Sequence, residues 1–377
     1  MADPVMQPAL EPVPASIVDV SPGSRAVLRS GRPAEASTLA VTVVMPTVGF
    51  DGDFAVSARR VIECLGRASA PAEFIVALDG AAATALPAWL DRPDVRVVAT
   101  GVRSGPAAAR NAAVEAARGD VVMFVDADVE LAPDALERVM AAFAAEPDLD
   151  GMFGAYDDEP TAPGLVSQFR NLLHHHTHVS HPGSAVTFWT GCGAIRTAKF
   201  LDVGGFDADF ACPSVEDIDL GMRVTAAGGR IALDPGLRCK HLKRWTLSSM
   251  ILTDVFARAV PWTKMLVTRH SMPTTLNIDW KNRACGVLAV ALVAALVVVP
   301  WFPAAAAIAA ACGLGIFSCH RDFYGLCLRK RGLRFALGAF ALHVLFFVYS
   351  SITFGIIVVA QACPWPSRRP HAAGSPE

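Results

Sequence analysis

The sequence lacks the features that most directly indicate a partner or a compartment. Its 377 residues carry 33 basic and 35 acidic side chains, so no excess of positive charge points to a nucleic acid. The nine cysteines are scattered without a CxxC pair, which argues against a zinc ribbon or a disulfide framework and fits reduced thiols in a cytoplasmic catalytic part. The N-terminal residues have neither a basic start nor a long apolar core, so we expect no cleaved export signal.

Asp, Glu, Lys and Arg are absent from two long stretches near the C-terminus, Ala284 to Ser318 and Phe335 to Ser367. Such apolar runs are typical of membrane-spanning helices. The first run would form a helix of about 52 Å, well beyond a hydrocarbon core of about 30 Å. Because Pro300 and Pro303 lie near its midpoint, we predict two short spans joined by a turn.

A basic segment separates the two runs, and its cationic residues are Arg321, Arg329, Lys330, Arg331 and Arg334. Basic segments next to spans stay on the cytoplasmic side. We therefore predict about three transmembrane helices within residues 284–362, a catalytic part on the cytoplasmic side, and a short tail at residues 363–377. Residues 249–283 are predicted to form an interfacial amphipathic helix, kinked at Pro261, and a linker. A surface helix packed on the soluble domain is the alternative.

The rest of the chain divides into a tail and one domain. Residues 1–39 are rich in Pro, Ala and Ser without periodicity and are predicted to be flexible. Residues 40–248 alternate short apolar runs with amphipathic patterns, which predicts an α/β domain with a mostly parallel sheet. The predicted strands are "LAVTVVMPT", "AEFIVALDG", "DVRVVATG" and "GDVVMFVDAD". The predicted helices are "DFAVSARRVIECLGRAS" and "GPAAARNAAVEAARG", the second with Gly119 as its C-terminal cap.

The strand "VVMFVDADVEL" ends abruptly in Asp126 and Asp128. Two carboxylates at the end of a buried strand need a cation, and alternation places both on the same side. Because open α/β sheets bind ligands at the carboxyl ends of their strands, a divalent ion here could bridge the phosphates of a nucleotide. An isolated DxD triplet is more often a solvated turn, so this interpretation depends on the neighbouring motifs.

Those neighbouring motifs occur in a specific order. "VVMPT" and "VALDG" end the first two strands, "GPAAARN" opens the helix before the DAD strand, and "FWTGCG", "GGFDADF", "VEDIDLG" and "HLKRW" follow. In this order, residues 41 to about 246 closely resemble family 2 glycosyltransferases with the GT-A fold, which implies a Rossmann-like domain with a mostly parallel mixed sheet. The last motif resembles the family's QxxRW element, with His241 in place of Gln.

The resemblance implies that the nucleotide-sugar donor contacts Pro46, Thr47, Asp79, Arg103, Arg110, Asn111 and Asp126. Within this set, Asp79 would accept from the base, whereas a structural role is the alternative for Arg110. Gly191, Cys192 and Gly193 correspond to a loop that lets the backbone approach the sugar. The implied metal ligands are Asp126, Asp128 and His241. The alternative for His241 is a hydrogen bond alone.

Asp217 is the predicted catalytic base. It lies in "SVEDIDL" at the expected start of a helix, where acidic residues ordinarily cap the helix and interact with its dipole. Direct displacement of a diphosphate needs a base for the acceptor's proton, and it inverts the anomeric centre. If the acceptor is a lipid phosphate, Asp217 would mainly orient it. The resemblance adds Arg244 as a cation for the leaving group and Trp245 as an aromatic platform.

Five histidines occupy eight positions in "HHHTHVSH", residues 174–181. On a helix, His174 and His178 share a face, whereas His175 and His176 point about 100° and 200° away, so the five cannot all bind one ion. The run lies between the donor-binding half and "FWTGCG", where the acceptor is expected to bind. We therefore predict acceptor contacts from His174, His178 and Glu216.

Together these patterns predict a metal-dependent, inverting hexosyltransferase that is a multi-pass protein of the cytoplasmic membrane. Its partners would be a nucleotide-diphosphate sugar, a lipid or membrane-associated acceptor and the bilayer, with Mg²⁺ or Mn²⁺ as cofactor and no nucleic acid. A processive polysaccharide synthase is one alternative, although it should need more spans to form a channel. The other is an inactive, membrane-tethered GT-A binding subunit, against which the intact aspartates and Arg244 argue.

Overall fold

The computed structural model describes residues 17–19, 40–50, 52–81, 86–268 and 279–362. The chain divides into two compact units, of which the first ends at Trp245 and the second begins at Thr246. Most of the predicted N-terminal tail, residues 269–278 of the predicted linker and the predicted tail at residues 363–377 lie outside the described residues.

The first unit is built on one sheet. Its described strands are β1 (Ile17–Asp19), β2 (Val41–Thr47), β3 (Ala72–Leu78), β4 (Val95–Ala99), β5 (Val121–Val125), β6 (Val129–Leu131), β7 (Gly151–Tyr156), β8 (Gly183–Ala185), β9 (Cys192–Arg196) and β10 (Ile231–His241). Their order is β1-β4-β3-β2-β5-β9-β7-β10-β6, and β8 pairs with β10. The pairs from β1 to β5 are all parallel, and β9 lies antiparallel between β5 and β7. This mixed, mostly parallel sheet confirms the predicted fold class, and β1 adds a short strand from within the predicted tail.

Six α-helices accompany these strands in the described part of the first unit: α1 (Asp53–Leu65), α2 (Pro106–Ala116), α3 (Ala135–Ala145), α4 (Leu165–Val179), α5 (Thr197–Asp202) and α6 (Glu216–Ala226). Both predicted helices, α1 and α2, form. The predicted cap is wrong, because α2 ends at Ala116 and Gly119 lies in the turn beyond it. A Cβ at Gly119 would lie 2.5 Å from the backbone nitrogen of Thr42, so this glycine permits close packing on β2.

β5 lies at the centre of the sheet, and all of its residues are buried. Phe124 contacts three further rings, with centroid distances of 6.3 Å to Phe188, 5.6 Å to Phe200 and 5.1 Å to Phe206. A continuous apolar run is typical of a strand that is covered on both faces. This packing holds the end of β5, and the polar residues that follow it, in a defined position.

The second unit is helical, and its described elements are α7 (Leu247–Leu252), a π-helical segment (Thr253–Ala259), α8 (Val260–Thr268), α9 (Trp280–Val298), α10 (Ala305–Cys319), α11 (Arg321–Arg331) and α12 (Leu333–Ala362). Apolar residues of α9, α10 and α12 pack together around Ile316 and Phe347. Two described helices, Trp280–Val298 and Leu333–Gln361, are long and apolar enough to cross a membrane, and α10 is a shorter apolar helix.

Proline and basic residues shape this unit. Pro300 and Pro303 lie in the turn between α9 and α10, as predicted. Pro261 is the second residue of α8, two positions after the π-helical segment ends at Ala259, and its missing N–H group is consistent with the predicted kink there. The basic segment between the two apolar runs forms the helix α11. This helix buries Phe323 and Cys327, while its cationic side chains are exposed.

Gly154 lies in β7 beside an irregular part of β10. The register between the two strands shifts between Leu233 and Arg238, and a Cβ at Gly154 would overlap the carbonyl oxygen of Leu237. We expect Gly154→Ala to lower the free energy of unfolding by about 1–3 kcal/mol, because the strands must separate to admit the methyl group. Gly49→Ala is the control, since no atom of the described residues lies within 4 Å of its Cβ position. Thermal unfolding of the full chain tests both, and equal midpoints would contradict this packing.

Candidate active site

Two carboxylates lie at the carboxyl end of β5. Asp126 and Asp128 follow the strand in a tight turn, in which the amide of Val129 donates to the carbonyl of Asp126 at 3.0 Å. The end of β10 runs beside this turn, because His241 is paired with Val129 in the antiparallel register. The sheet thereby brings His241 next to Asp128.

Asp126 and Asp128 differ in their partners. Oδ1 of Asp126 accepts a hydrogen bond of 2.6 Å from Nη2 of Arg110, whereas Oδ2 of Asp128 lies 3.6 Å from Nε2 of His241. Burial raises the pKa of Asp126 above its ordinary value, although Arg110 opposes the shift. Burial would raise the pKa of Asp128 as well, but His241 and Lys243 outweigh it and hold that pKa below its ordinary value. Asp128 is therefore the carboxylate that is more ready to bind a cation.

The pair of Asp128 and His241 fits a divalent cation. Their separation of 3.6 Å is shorter than the sum of two metal–ligand bonds of about 2.0–2.2 Å each, so one ion can contact both atoms. In the part of the chain that the structure describes, no group of three or more His, Cys, Asp or Glu side chains is arranged to hold a metal. Because Asp126 is engaged by Arg110, the three predicted ligands do not form a preassembled site. Ions such as Mg²⁺ often complete such a shell with water and substrate phosphates.

Asp217 lies in the first turn of α6. Its carboxyl group accepts hydrogen bonds from the amide of Ile218 at 2.8 Å and from the amide of Thr190 at 3.4 Å. Burial, followed by the charge of Glu216, raises the pKa of Asp217 to about 7. A carboxylate with such a pKa is suited to accept a proton near neutral pH. The surroundings of Asp217 are thus those that a general base requires.

Glu216 is enclosed by the protein. Its Oε1 accepts from Nη1 of Arg110 at 3.1 Å, and its Oε2 accepts from the amide of Ser214 at 2.8 Å. Only 6% of the side chain is exposed. This placement argues against the predicted acceptor contact, because both carboxylate oxygens are already used inside the protein.

Arg110 and Asn111, neighbours on α2, are likewise used inside the protein. Arg110 joins Asp126 to Glu216, and although burial opposes its charge, these two carboxylates raise the pKa of Arg110. The side-chain amide of Asn111 donates to the carbonyl of Phe206 at 2.8 Å and accepts from its N–H at 2.9 Å. These bonds argue against the predicted direct contacts with a nucleotide-sugar donor and favour a positioning role for both residues.

The other predicted donor contacts lie at the same edge of the sheet. Pro46 and Thr47 end β2, and Thr47 donates from its hydroxyl to the carbonyl of Gly49. Asp79 follows β3 and accepts from the amides of Ser104 at 2.7 Å and Gly105 at 3.1 Å, so it shapes the loop that begins α2. The exposed Arg103 belongs to this loop. The parallel strands therefore bring these residues to the edge that carries the DAD turn.

The loop before β9 is shaped by Trp189. A Cβ at Gly191 would overlap the indole ring of Trp189, and a Cβ at Gly193 would overlap its carbonyl oxygen. Cys192, between them, is the buried first residue of β9. The two glycines are thus required by the packing of Trp189, which differs from the predicted reason, the approach of a sugar to the backbone.

Arg244 and Trp245 follow β10 and differ in exposure. Arg244 is exposed, as a contact with a leaving group requires. Trp245 is only 6% exposed, and Lys243 lies 4.3 Å from its ring centroid. The backbone of Trp245 is held by Ser167, whose Oγ accepts from its N–H at 2.8 Å and donates to its carbonyl at 3.2 Å. This burial argues against an open aromatic platform at Trp245.

Part of the histidine run binds the carbonyl groups of β7. Three side chains spaced along one face of α4 form this α4 row: Asn171, His175 and His178. They bind the carbonyl oxygens of Asp157 at 2.9 Å, Tyr156 at 2.6 Å and Gly154 at 2.8 Å, respectively. Burial lowers the pKa of His178 to about 4, so its ring is neutral at neutral pH. The α4 row holds the end of β7, which argues against the predicted acceptor contact at His178.

Tyr156, at the end of β7, connects the histidine run to the DAD turn. Its ring stacks on His241 with a centroid distance of 4.5 Å and an interplanar angle of 17°. It also contacts His174 at 4.4 Å, and Trp189 lies 4.7 Å from His174. The sequence reasoning missed Tyr156 and Trp189. The signal for Tyr156 was available, because "GMFGAYDD" is a second apolar strand that ends in acidic residues, as the DAD strand does.

Comparisons with known proteins match part of the chain to one family. Residues 43–204 match the model of a family described as Glycosyl transferase family 2. The pre-mycofactocin glycosyltransferase of Mycobacterium tuberculosis, found in two strains, is 28% identical over 176 residues, which are 43% of this chain and 35% of that protein. The chain therefore spans about a third of the length of these curated relatives.

Two solved structures match the chain at low sequence identity. The mannosyltransferase PcManGT of Pyrobaculum calidifontis, in complex with GDP-Man and Mn²⁺, is 16% identical with a TM-score of 0.48, over 87% of this chain and 88% of that one. TarS 1-349 of S. aureus is 15% identical with a TM-score of 0.43, over 85% of this chain and 91% of that one.

Proposed function

Because residues 43–204 match the model of Glycosyl transferase family 2, we propose that this chain is a membrane-bound, inverting glycosyltransferase that moves a sugar from a nucleotide-diphosphate sugar to a lipid or membrane-associated acceptor. One observation carries the proposal. Two carboxyl groups of the first unit have pKa values shifted in opposite directions, downwards for Asp128 and upwards to about 7 for Asp217. Such a divergence distinguishes a carboxylate that carries charge from one that accepts a proton.

The nucleotide-sugar donor is proposed to bind where β2, β3 and β5 end. Pro46, Thr47 and Arg103 lie at this edge, as does Asp79. Oδ1 of Asp79 accepts from the amide of Ser104 and from the hydroxyl of Thr100. Oδ2 accepts from the amide of Gly105 and has a second acceptor position that a nucleobase can use. Asp126 and Asp128 then lie nearest to the sugar end of the nucleotide.

Asp128 and His241, together with Asp126, are proposed to hold Mg²⁺ or Mn²⁺. When bound, such an ion neutralises negative charge on the diphosphate as it departs. Arg244, exposed after β10, would add a fixed positive charge for the same leaving group. Tyr156 stacks on the ring of His241, which restrains the plane of that imidazole.

Asp217 is proposed to take the proton of an acceptor hydroxyl. As the acceptor oxygen bonds to the anomeric carbon, its O–H bond breaks towards Asp217, and the bond from the anomeric carbon to the diphosphate breaks. A single displacement of this kind inverts the anomeric centre. Of the predicted acceptor contacts, His174 alone is only partly buried in the structure, so it is the one retained here.

A membrane-associated acceptor is supported by the second unit. Its two long apolar helices and the shorter α10 fit a membrane anchor. Leu252 and Phe256, which are 55% and 67% exposed, fit insertion at the membrane interface. The basic helix α11 favours the cytoplasmic side for the polar connection between α10 and α12.

Membranes that carry the full chain provide the test. They are incubated with a panel of radiolabelled nucleotide sugars, lipid extract and Mg²⁺ or Mn²⁺, and label is measured in the organic phase. We expect transfer of single sugars to a lipid fraction with one of the donors, and loss of transfer with EDTA. Membranes without the protein are the control. Label in a long water-soluble polymer would instead indicate a processive synthase, and nucleotide binding without any transfer would indicate a binding subunit.

A further inference from the structure

The segment that precedes the proposed base contacts α2 at three positions. At the start of α2, Gly105 has a φ of 92°, and a Cβ there would overlap the carbonyl of Ala211. At its middle, Asn111 holds the backbone of Phe206 with both atoms of its amide, at 2.8 and 2.9 Å. The adjacent Arg110 binds Glu216 at 3.1 Å. Residues 206–216, which lead directly into Asp217, are thus fixed against one helix.

Arg110 connects this segment to the DAD turn. Its Nη1 donates to Glu216, and its Nη2 donates to Asp126 at 2.6 Å. The guanidinium is 4% exposed and lies 5.6 Å from the ring centroid of Phe206. The two carboxylates belong to different elements, one after β5 and one at the start of α6. Arg110 therefore connects these two elements through its side chain.

The geometry of this guanidinium is unusual for a purely stabilising pair. A planar guanidinium binds one carboxylate best through two parallel bonds. Arg110 instead divides its terminal nitrogens between two carboxylates, and its buried Nε has no hydrogen-bond partner among the residues that the structure describes. A merely stabilising role gives no reason to leave this donor unpaired. A role in which Arg110 must hold both carboxylates at once does give such a reason.

We propose that Arg110 is a positioning residue that couples the two ends of the reaction site, by fixing Asp126 on the donor side and the first turn of α6, with Asp217, on the acceptor side. The inference rests on the proposed function. In this arrangement, one substitution on α2 disturbs donor binding and proton acceptance together. A change at Asp217 alone disturbs only proton acceptance.

Arg110→Lys tests the coupling. Lysine keeps the positive charge but presents a single ammonium group, which cannot reproduce the planar fork that reaches both carboxylates. We expect the Kd for UDP or GDP with Mn²⁺ to rise and kcat to fall, each by about 10–100-fold, as for other residues that orient primary ligands. In an Asp217→Asn background, Arg110→Lys should still weaken nucleotide binding but should have no further effect on kcat.

Arg96→Lys is the matched control. Arg96 is also a mostly buried arginine paired with a carboxylate, at 2.7 Å from Glu73, but it lies on β4 away from the DAD turn. A fall in thermal stability in both variants, with nucleotide binding and kcat unchanged in Arg110→Lys, would overturn the proposal. Nucleotide binding is measured by calorimetry, so the donor-side effect can be tested even if no transfer reaction is found for the wild type.

Glu216→Gln keeps the inference testable if Arg110→Lys does not fold. It removes one of the two charges that Arg110 binds and leaves Asp126 in place. We expect kcat to fall about 10-fold or more while nucleotide binding stays within about twofold of the wild type, because only the acceptor side is released. Unchanged kcat in a folded Glu216→Gln protein would show that α6 is not positioned through Arg110.

Discussion

Replacing Asp217 by Asn is expected to lower kcat by about 10²–10⁴-fold while the affinity for the nucleotide-sugar donor stays the same. The bond of 3.4 Å from the amide of Thr190 to Oδ2 of Asp217 is lost in this variant, because Asn has a single oxygen. The Asn side chain otherwise keeps the shape of Asp217, and its oxygen can still accept from the amide of Ile218. It cannot, however, take up a proton from the acceptor. Initial rates at saturating donor and calorimetric titration with the nucleotide measure the two quantities separately.

Asp209→Asn is the matched control, because Asp209 is exposed in the segment before α6. The pH profile is an independent check. Since the pKa of Asp217 is raised to about 7, its carboxylate is lost as the pH falls through that value. The wild-type rate should then fall about tenfold per pH unit below 7, and the Asn variant should lack this acidic limb. An Asn variant that keeps more than about one-tenth of the wild-type kcat would rule out Asp217 as the base.

Asp128→Asn is expected to remove metal-dependent binding of the nucleotide and to reduce kcat/KM by about 10³-fold or more, since an ion at this site is worth several kcal/mol in the transition state. The reason is local. The pKa of Asp128 is held below its ordinary value, so this carboxylate is charged at neutral pH, and the neutral amide that replaces it is a much weaker ligand. Nucleotide titrations with Mn²⁺ and with EDTA measure the effect.

The exposed Asp134, at the start of α3, provides the control variant Asp134→Asn. His241→Gln separates the two roles that the sequence leaves open for this residue. If His241 is a ligand, the concentration of Mn²⁺ that half-saturates nucleotide binding should rise. If it only forms a hydrogen bond, glutamine should sustain wild-type binding. Identical Mn²⁺ titrations for Asp128→Asn and wild type would contradict a metal at the DAD turn.

The strands and the DAD turn can be predicted from the sequence, because a five-residue apolar run followed by two aspartates has few alternatives in an α/β domain. "VVMFV" is β5, all of it buried, and Asp126 and Asp128 directly follow it. The spacing of the motifs then brings Thr47 and Asp79 to the same edge. These inferences depend on local pattern and on the rule that parallel strands end together.

The pairing of Arg110 could not be predicted in the same way. Its partners lie 16 and 106 residues away, and nothing local relates α2 to the start of α6. One signal existed: Ala107, Ala113 and Val114 form the buried face of α2, and Arg110 has the same helical spacing. A charged residue on such a face must find buried partners, which argues against a contact with an exposed ligand.

Resemblance to a family transfers residue types but not exposure. Trp245 and Glu216 match motif positions, yet both are buried, because Ser167 holds the first and Arg110 holds the second. The helical argument for the histidine run, in contrast, is consistent with the structure: His175 and His178 bind two different carbonyl groups. The carbonyl groups that these two histidines bind belong to β7. The sequence of the histidine run does not indicate where that strand lies, so these partners could not be predicted from it.

The α4 row also determines where protons reside in the histidine run. A neutral imidazole that donates through Nδ1 carries its hydrogen there and keeps a lone pair on Nε2. His175 and His178 both face carbonyl oxygens through Nδ1, so each ring carries a hydrogen on that nitrogen, and the neutral His178 is held as that single tautomer. With a pKa of about 4, His178 should give the nitrogen NMR signals of one neutral tautomer throughout the neutral pH range, without the averaging that a solvent-exposed histidine shows.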